Sequence, residues 1–157
     1  MTREKNFMNE AIKVGIEGMR SNLGGPFGCV IVKNNEIIGK GCNSVIGTND
    51  PTAHAEIVAI RDACKNLQSF HLDDCEVYAT CEPCPMCMGA LYWARPKKIY
   101  YASSRVDAAN IGFDDNYIYE QIALPIEQRE IEIECLQCDE AKEMFEEWKS
   151  LNNKTLY

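Results

Sequence analysis

Four residues in two short segments have the types and the spacing of a catalytic metal centre. His54 and Glu56 stand in a His-Ala-Glu segment, and Cys84 and Cys87 stand in a Pro-Cys-Pro-Met-Cys segment. A structural zinc site usually has four protein ligands, whereas a catalytic site has three and keeps one position for water. His54, Cys84 and Cys87 supply three ligands, so the pattern predicts one zinc ion per subunit with an open position.

Glu56 is the candidate proton carrier of this centre. A carboxylate two residues from a metal ligand can take a proton from water at the open position and return it to a leaving group. A lone CxxC or a lone histidine would be weak evidence, but here both halves occur in order and at predicted helix starts. A zinc-stabilised binding protein without catalysis remains as the alternative.

Hydrophobic periodicity predicts alternating helices and strands along the chain. The predicted helices cover about 4–22, 55–64, 84–94 and a C-terminal stretch with Ala141, Met144, Phe145, Trp148 and Leu151 on one face; the predicted strands cover 27–32, 36–41, 75–80, 98–102 and 131–135. This order predicts an α/β fold with three α/β/α layers around a central five-stranded mixed sheet. Both halves of the metal pattern lead into a helix, where open α/β sheets bind ligands.

Composition and charge narrow the classes of function. A chain of 157 residues with 46% hydrophobic and 25% charged residues predicts a single domain over 1–157. We expect a cytoplasmic protein with reduced thiols and no membrane segment, because no signal-like or spanning apolar run occurs and the nine cysteines are odd in number. The net charge of −8 disfavours a nucleic-acid partner and favours a small free substrate.

The joint pattern H-x-E…P-C-x-x-C resembles the cytidine-deaminase-like zinc deaminases. The resemblance extends through Gly24–Gly28, Asn49–Glu56, Cys81–Cys87, Tyr92–Pro96 and Gly112–Asp115. Within the superfamily, Phe113-Asp114-Asp115 and a tail ending in Tyr157 are most similar to the small bacterial guanine deaminases. The resemblance implies hydrolysis of guanine to xanthine and ammonia. Cytosine, another amino-heterocycle or tRNA adenosine stays open as the alternative substrate, because the earlier segments are shared with deaminases that act on those groups.

The same resemblance assigns roles in binding a purine. It implies that Asp114 accepts hydrogen bonds from N1–H and the 2-amino group, that Asn43 meets the ring edge, and that the backbone N–H of Ala55 meets an acceptor. Phe27 and Trp93 would sandwich the base. Each side chain also has an ordinary structural alternative: Asn43 as a turn residue, Phe27 and Trp93 as packing residues, and Asp114 as a helix cap.

The C-terminal segment has two interpretations. A polar stretch ending in Leu156-Tyr157 is an ordinary frayed tail by default. The resemblance implies instead a homodimer in which the helix and tail of about 139–157 are exchanged, so that Tyr157 closes the purine site of a partner subunit. A second CxxC pair, Cys135 and Cys138, has no histidine nearby, and we interpret both as incidental thiols.

Overall fold

The computed structural model describes residues 2–157. The elements in chain order are α1 (Arg3–Arg20), β1 (Gly28–Lys33), β2 (Glu36–Cys42), α2 (Val45–Thr48), α3 (Ala55–Leu67), β3 (Glu76–Cys81), α4 (Pro85–Ala94), β4 (Lys98–Ser103), α5 (Arg105–Asn110), α6 (Asn116–Ala123), a 3₁₀ turn (Ile126–Gln128) and α7 (Asp139–Ser150). The chain divides into two compact units, one ending at Asn116 and the other covering Tyr117–Tyr157.

The first unit is built on a four-stranded mixed sheet in the order β2-β1-β3-β4. β1 pairs antiparallel with both β2 and β3, while β3 and β4 run parallel. The central strands β1 and β3 are largely buried, as expected for strands covered on both faces. The parallel pair directs the ends of β3 and β4 toward the same edge, and the second metal segment follows β3 there.

Helices cover both faces of this sheet and give it three layers. Side chains alternate between faces along a strand, and Val30, Val32 and Tyr78 form one buried cluster with Ala11 of α1. The other face packs against α3 and α4. The buried members of that cluster in the strands and in these two helices are Cys29, Ile31, Val77, Ala79, Ala55, Ala59, Ala63, Leu91 and Ala94. The α/β/α layering expected from the sequence is therefore present.

A close approach between β2 and α3 places the first metal segment. A Cβ atom at Gly41 would stand 2.3 Å from the carbonyl oxygen of Ala55 and 2.5 Å from the amide nitrogen of Ala59. Only glycine leaves room for helix backbone at this distance. Gly41 thus lets the first turn of α3 lie close against β2.

The prediction of a fifth strand over 131–135 is wrong for the structure. The sheet has four strands among residues 2–157, and Ile131–Cys135 has neither a helical nor a strand conformation. Ile131 and Ile133 are 74% and 48% exposed, so the apolar side chains of this alternating segment are largely uncovered. An alternating segment becomes a strand only when a sheet edge accepts its backbone hydrogen bonds.

The second unit carries its apolar residues at its surface. None of residues 117–157 is classed as buried. One face of α7 presents Met144, Phe145, Trp148 and Leu151, which are 39–68% exposed. The spacing predicted for this helix is confirmed, but the surface that would cover it is not supplied within the unit.

Across residues 2–157, no helix combines the length and the apolar character that a membrane span requires.

Candidate active site

The metal segments converge because two helices begin at the same edge of the sheet. His54 is the N-cap residue of α3 and Cys84 is the N-cap residue of α4, and neither side chain caps its own helix. Pro85 occupies the first position of α4, where its missing N–H has no cost. The two side chains are therefore free from the usual capping role and turn toward each other.

The three candidate ligands fit a tetrahedral zinc ion. The Nδ1 atom of His54 lies 3.5 Å from Cys84 Sγ and 3.6 Å from Cys87 Sγ. All three ligand atoms lie within 4.8 Å of one another. Zinc bonds of about 2.0–2.3 Å at tetrahedral angles separate ligand atoms by about 3.3–3.8 Å. The donor set of one imidazole and two thiols is also the set that zinc prefers.

The surroundings of the two thiols favour loss of a proton from the pair. The contact with the Cys87 thiol lowers the pKa of Cys84 to about 4, with burial opposing and the His54 contact assisting. The pKa of Cys87 is raised, first by its contact with Cys84 and then by burial. The contact with Cys84 raises the pKa of His54 against the effect of burial. A metal cation bound between the two sulfurs would balance their negative charges, so that both could be thiolates.

Glu56 lies in the second position of α3, beside the sulfurs. It is 8% exposed, and Cys87 Sγ lies 3.5 Å from its Oε2 atom. Burial raises the pKa of Glu56, while a hydrogen bond from its own backbone N–H partly opposes the increase. A buried carboxylate with a raised pKa can both accept and release a proton near neutral pH. The geometry thus places a proton carrier next to the metal ligands.

Asn43 is buried, and its side-chain oxygen is engaged by the backbone of Val45. It is 6% exposed, its Oδ1 atom accepts a hydrogen bond from Val45 N at 3.2 Å, and its backbone N donates to Phe27 O at 3.0 Å. Because Val45 N–H is a donor, it must face the amide oxygen rather than the nitrogen. The Nδ2 group of Asn43 is then the donor that this side chain offers to a ligand.

The structure distinguishes the two neighbouring aspartates. Asp114 is exposed, and its Oδ1 accepts from Asn116 N at 2.9 Å at the start of α6. The Asp115 side chain is 16% exposed and lies 3.6 Å from Arg105 Nε. Burial raises the pKa of Asp115, the Arg105 guanidinium opposes this, and the charge on Cys84 adds to the increase. Asp115 is thus the less exposed of the two aspartates and the one paired with Arg105, whereas the sequence favoured Asp114.

Comparisons with known proteins agree with this centre. Residues 1–103 match the family model of the cytidine and deoxycytidylate deaminase zinc-binding region. The chain belongs to this zinc deaminase family. The matched range contains the three candidate ligands and Glu56, and a His-Cys-Cys cluster agrees with a zinc-binding family.

Relatives extend the similarity over the rest of the chain. A guanine deaminase from Bacillus subtilis (strain 168) is 49% identical over 153 residues, which covers 98% of each chain. The crystal structure of a Bacillus subtilis guanine deaminase matches with a TM-score of 0.95 over 98% of each chain. A tRNA-specific adenosine deaminase from Aquifex aeolicus (strain VF5) is 38% identical over 132 residues, covering 83% of this chain and 85% of that protein.

The remaining predicted binding residues of this deaminase occupy different surroundings. Ala55 is the first residue of α3, so its N–H has no acceptor within the helix. Phe27 packs edge-to-face on Phe113 with centroids 4.9 Å apart. Trp93 is 64% exposed, whereas Cys87 on the same helix is fully buried. Tyr157, in the second unit, is 68% exposed. Trp93 and the ligand Cys87 therefore differ in exposure although both belong to α4. The role of Trp93 in binding a base stays a prediction.

A cavity of about 200 Å³ opens beside Phe27 and Cys81. Its other lining residues are Pro26, Thr80, Ser103, Asp107, Ala108 and Ile111. Neither Glu56 nor any metal ligand contributes to its wall, so we do not identify it as the place of the reaction.

Proposed function

We propose that this zinc deaminase hydrolyses guanine to xanthine and ammonia. The observation that carries the proposal is the 49% identity to a guanine deaminase over 98% of both chains. The family match ends at residue 103, whereas this identity continues through the segment with Asp114 and Asp115 and into the C-terminal unit. These are the parts of the chain that can select a substrate within the family.

His54, Cys84 and Cys87 would hold the zinc ion, which would supply a nucleophile from water near neutral pH by lowering the pKa of that water. Glu56 accepts the proton that the attacking water loses as its oxygen bonds to C2 of guanine. The same carboxyl group passes this proton to N3. Glu56 then takes the remaining proton from the new C2 hydroxyl and passes it to the 2-amino nitrogen. The C2–N bond breaks, ammonia leaves and the C2 oxygen becomes a carbonyl of xanthine, so both water protons are in the products and Glu56 is again a carboxylate.

Three groups support recognition of guanine. The ring offers donors at N1–H and the 2-amino group, and acceptors at O6 and N7. Asp115, rather than Asp114, supplies the carboxylate for the donor edge, because Asp115 is the less exposed of the two and Asp114 Oδ1 already accepts from Asn116 N. Asn43 Nδ2 and the N–H of Ala55 supply donors for ring acceptors. A carboxylate that pairs with two donors penalises a base lacking them, since the buried charge would be left unpaired.

We further propose a homodimer in which the C-terminal segment is exchanged. The α7 face with Met144, Phe145 and Trp148 is uncovered in the second unit. β4 lies at an edge of the sheet, and the alternating segment 131–135 lacks a strand partner among the described residues. A second chain can satisfy all of these features at once, with residues 131–135 added to the partner's β4 edge and Tyr157 closing the partner's purine site.

Charge and thiol state support a small-molecule enzyme of the cytoplasm. A net charge of −8 disfavours binding to a tRNA phosphate backbone, in spite of the similarity to tRNA-specific adenosine deaminases. None of the nine cysteines is in a disulfide, as is usual in reducing compartments.

The test is release of ammonia by the zinc-loaded protein from guanine, adenine, cytosine, guanosine, cytidine and a tRNA. We expect release from guanine and little from the others, with metal-free protein as the control. Release of ammonia from adenosine in tRNA but not from guanine would show that the zinc site acts on a different substrate. Silence on every amino-heterocycle by protein with intact Glu56 would support the non-catalytic alternative.

A further inference from the structure

Arg105 connects the metal segment to the segment that carries Asp115. Its backbone N donates to Glu82 Oε2 at 3.0 Å, two residues before the ligand Cys84. Its side chain donates from an Nη atom to Asn116 Oδ1 at 2.9 Å. Its Nε atom lies 3.6 Å from Asp115 Oδ1. One residue therefore contacts both the chain that leads to the zinc site and two consecutive residues of the recognition segment.

The backbone of Arg105 is fixed on the metal side. It is the first residue of α5, whose N-cap Ser104 forms a capping box with Asp107. Glu82 N donates to Ser103 O at 2.9 Å, which extends the pairing of β3 and β4 up to the helix start. The guanidinium is thus held out from a rigid point next to the metal segment.

The contact differs from an ordinary surface ion pair. Exposed pairs contribute little, because two flexible side chains must be ordered in water. Here the side chains of Arg105 and Asp115 are 33% and 16% exposed. The guanidinium also has a second acceptor in the neighbouring residue, and its planar fork can hold both acceptors at a fixed spacing.

The chain before the segment that Arg105 holds is fixed by its backbone and by Phe113, because Phe113 N donates to Ala108 O at 3.0 Å and its ring packs on Phe27. The segment follows Gly112, whose φ of +97° turns the chain after α5, and it leads into α6, where Asn116 N donates to Asp114 Oδ1. Without the guanidinium, the Asp115 carboxylate would keep its place in the chain but lose its charged partner. Its direction would then depend on rotation about its own side-chain bonds.

We propose that Arg105 is a positioning residue that holds the Asp115 carboxylate in the orientation that binds the donor edge of the purine base. This inference rests on the proposed guanine deamination. It assigns Arg105 no contact with substrate, so loss of Arg105 weakens substrate binding while leaving zinc and Glu56 in place.

The experiment compares Arg105→Ala and Arg105→Lys with wild type and with Arg3→Ala. Arg3 is a matched control, because it is a partly exposed arginine paired with Glu76 at 2.7 Å, at the start of β3 rather than its end. We expect Arg105→Ala to raise KM for guanine by about tenfold or more with a smaller change in kcat. The KM of Arg105→Lys should lie between those of wild type and Arg105→Ala, because a lysine keeps the positive charge but its ammonium cannot hold both acceptors. Zinc content and Tm verify that each variant is folded and loaded.

A double variant separates positioning from general support. If Arg105 acts through Asp115, then Arg105→Ala changes KM little when Asp115 is already Asn. Equal effects of Arg105→Ala in both backgrounds, or an unchanged KM in the single variant while wild type deaminates guanine, would overturn the inference and leave the function standing. A wild-type protein that releases no ammonia from guanine would overturn both.

Discussion

At the residue scale, Glu56 combines burial with proximity to the thiol ligands. It is 8% exposed and lies 3.5 Å from Cys87 Sγ. Its position two residues after His54 was enough to predict the role from the sequence. Burial, which raises its pKa, is a property of the packed helix and could not be read from the motif.

Glu56→Gln is expected to lower kcat for guanine by about 10²–10⁴-fold, because the amide keeps the shape but cannot take up a proton. Zinc bound per chain should stay at the wild-type value, as Glu56 is not a ligand. Glu76→Gln serves as the control, since Glu76 is the first residue of β3 and the metal segment follows the other end of that strand. Steady-state kinetics and metal analysis measure the two effects. A kcat within a few-fold of wild type would show that Glu56 is not the proton carrier.

Asp115→Asn and Asp114→Asn form the second residue-scale pair. We expect Asp115→Asn to raise KM for guanine by about tenfold or more, because a neutral amide loses a charge-assisted hydrogen bond. Asp114→Asn should change KM little, because asparagine keeps a side-chain oxygen that can accept from Asn116 N. The two variants are measured side by side by guanine kinetics. A large effect at position 114 with none at 115 would return the recognition role to Asp114.

At the element scale, the starts of α3 and α4 meet at the side chains that would bind zinc. His54 belongs to one helix start, and Cys84 and Cys87 belong to the other. The helix bounds are confirmed to within one residue at these starts, because turn and proline signals are local. That the two starts meet is decided by the parallel pairing of β3 with β4 and by the packing of α3 on β2.

Removal of zinc with a chelator is expected to lower Tm by several degrees and to be reversed by added zinc, because metal binding stabilises the folded state that holds the site. Differential scanning calorimetry with metal analysis measures both effects. A Cys135→Ser, Cys138→Ser variant should keep one zinc per chain, since these exposed thiols lie outside the cluster. Loss of zinc from that variant, or a Tm that ignores the chelator, would contradict the assignment.

Gly24→Ala tests the loop that holds Asn43. A Cβ atom at Gly24 would stand 2.0 Å from Asn43 Oδ1 and 2.7 Å from Asn43 O. Gly24 does not have positive φ, so the expected effect comes from displacement of Asn43 rather than from backbone strain. We expect KM for guanine to rise by about tenfold. The control is Gly89→Ala, where a Cβ atom would meet nothing within 4 Å. Equal KM values in these two variants would show that Asn43 tolerates the displacement.

At the scale of the whole molecule, the second unit carries apolar side chains that the unit itself does not bury. Phe145 and Leu156 are 68% and 76% exposed. Exposed apolar residues in such number are typical of a surface that is covered in an assembly. This is the structural support for the exchanged homodimer, which the sequence reached only through resemblance.

Subunit complementation tests the exchange. We expect Tyr157→Ala to impair guanine turnover at low substrate and Glu56→Gln to abolish it. In an exchanged dimer, a mixed pair has one site with an intact Glu56 and with Tyr157 from the partner chain. Co-expression in equal amounts should then restore about a quarter of the wild-type sites. A mixture no more active than the sum of its parts, in dimers confirmed by light scattering, would show that Tyr157 does not act on the partner.

The sequence by itself determined the ligand set, the neighbouring carboxylate and most helix and strand bounds in the first unit. These depend on residue types a few positions apart, and side-chain chemistry and periodicity act over that range. Helices α5 and α6 were missed because their short, weakly patterned segments depend on neighbours and on a capping box.

Only the tertiary structure distinguishes the proposed recognition residue Asp115 from Asp114, since adjacent aspartates have the same chemistry and differ here in exposure and in contact with Arg105. It also decided against a strand at Ile131–Cys135 in the described chain. Alternation states which side chains could share a face, but a strand exists only where another strand offers its backbone hydrogen bonds. Both differences depend on contacts between residues that are distant in the chain, and a local sequence pattern does not encode those contacts.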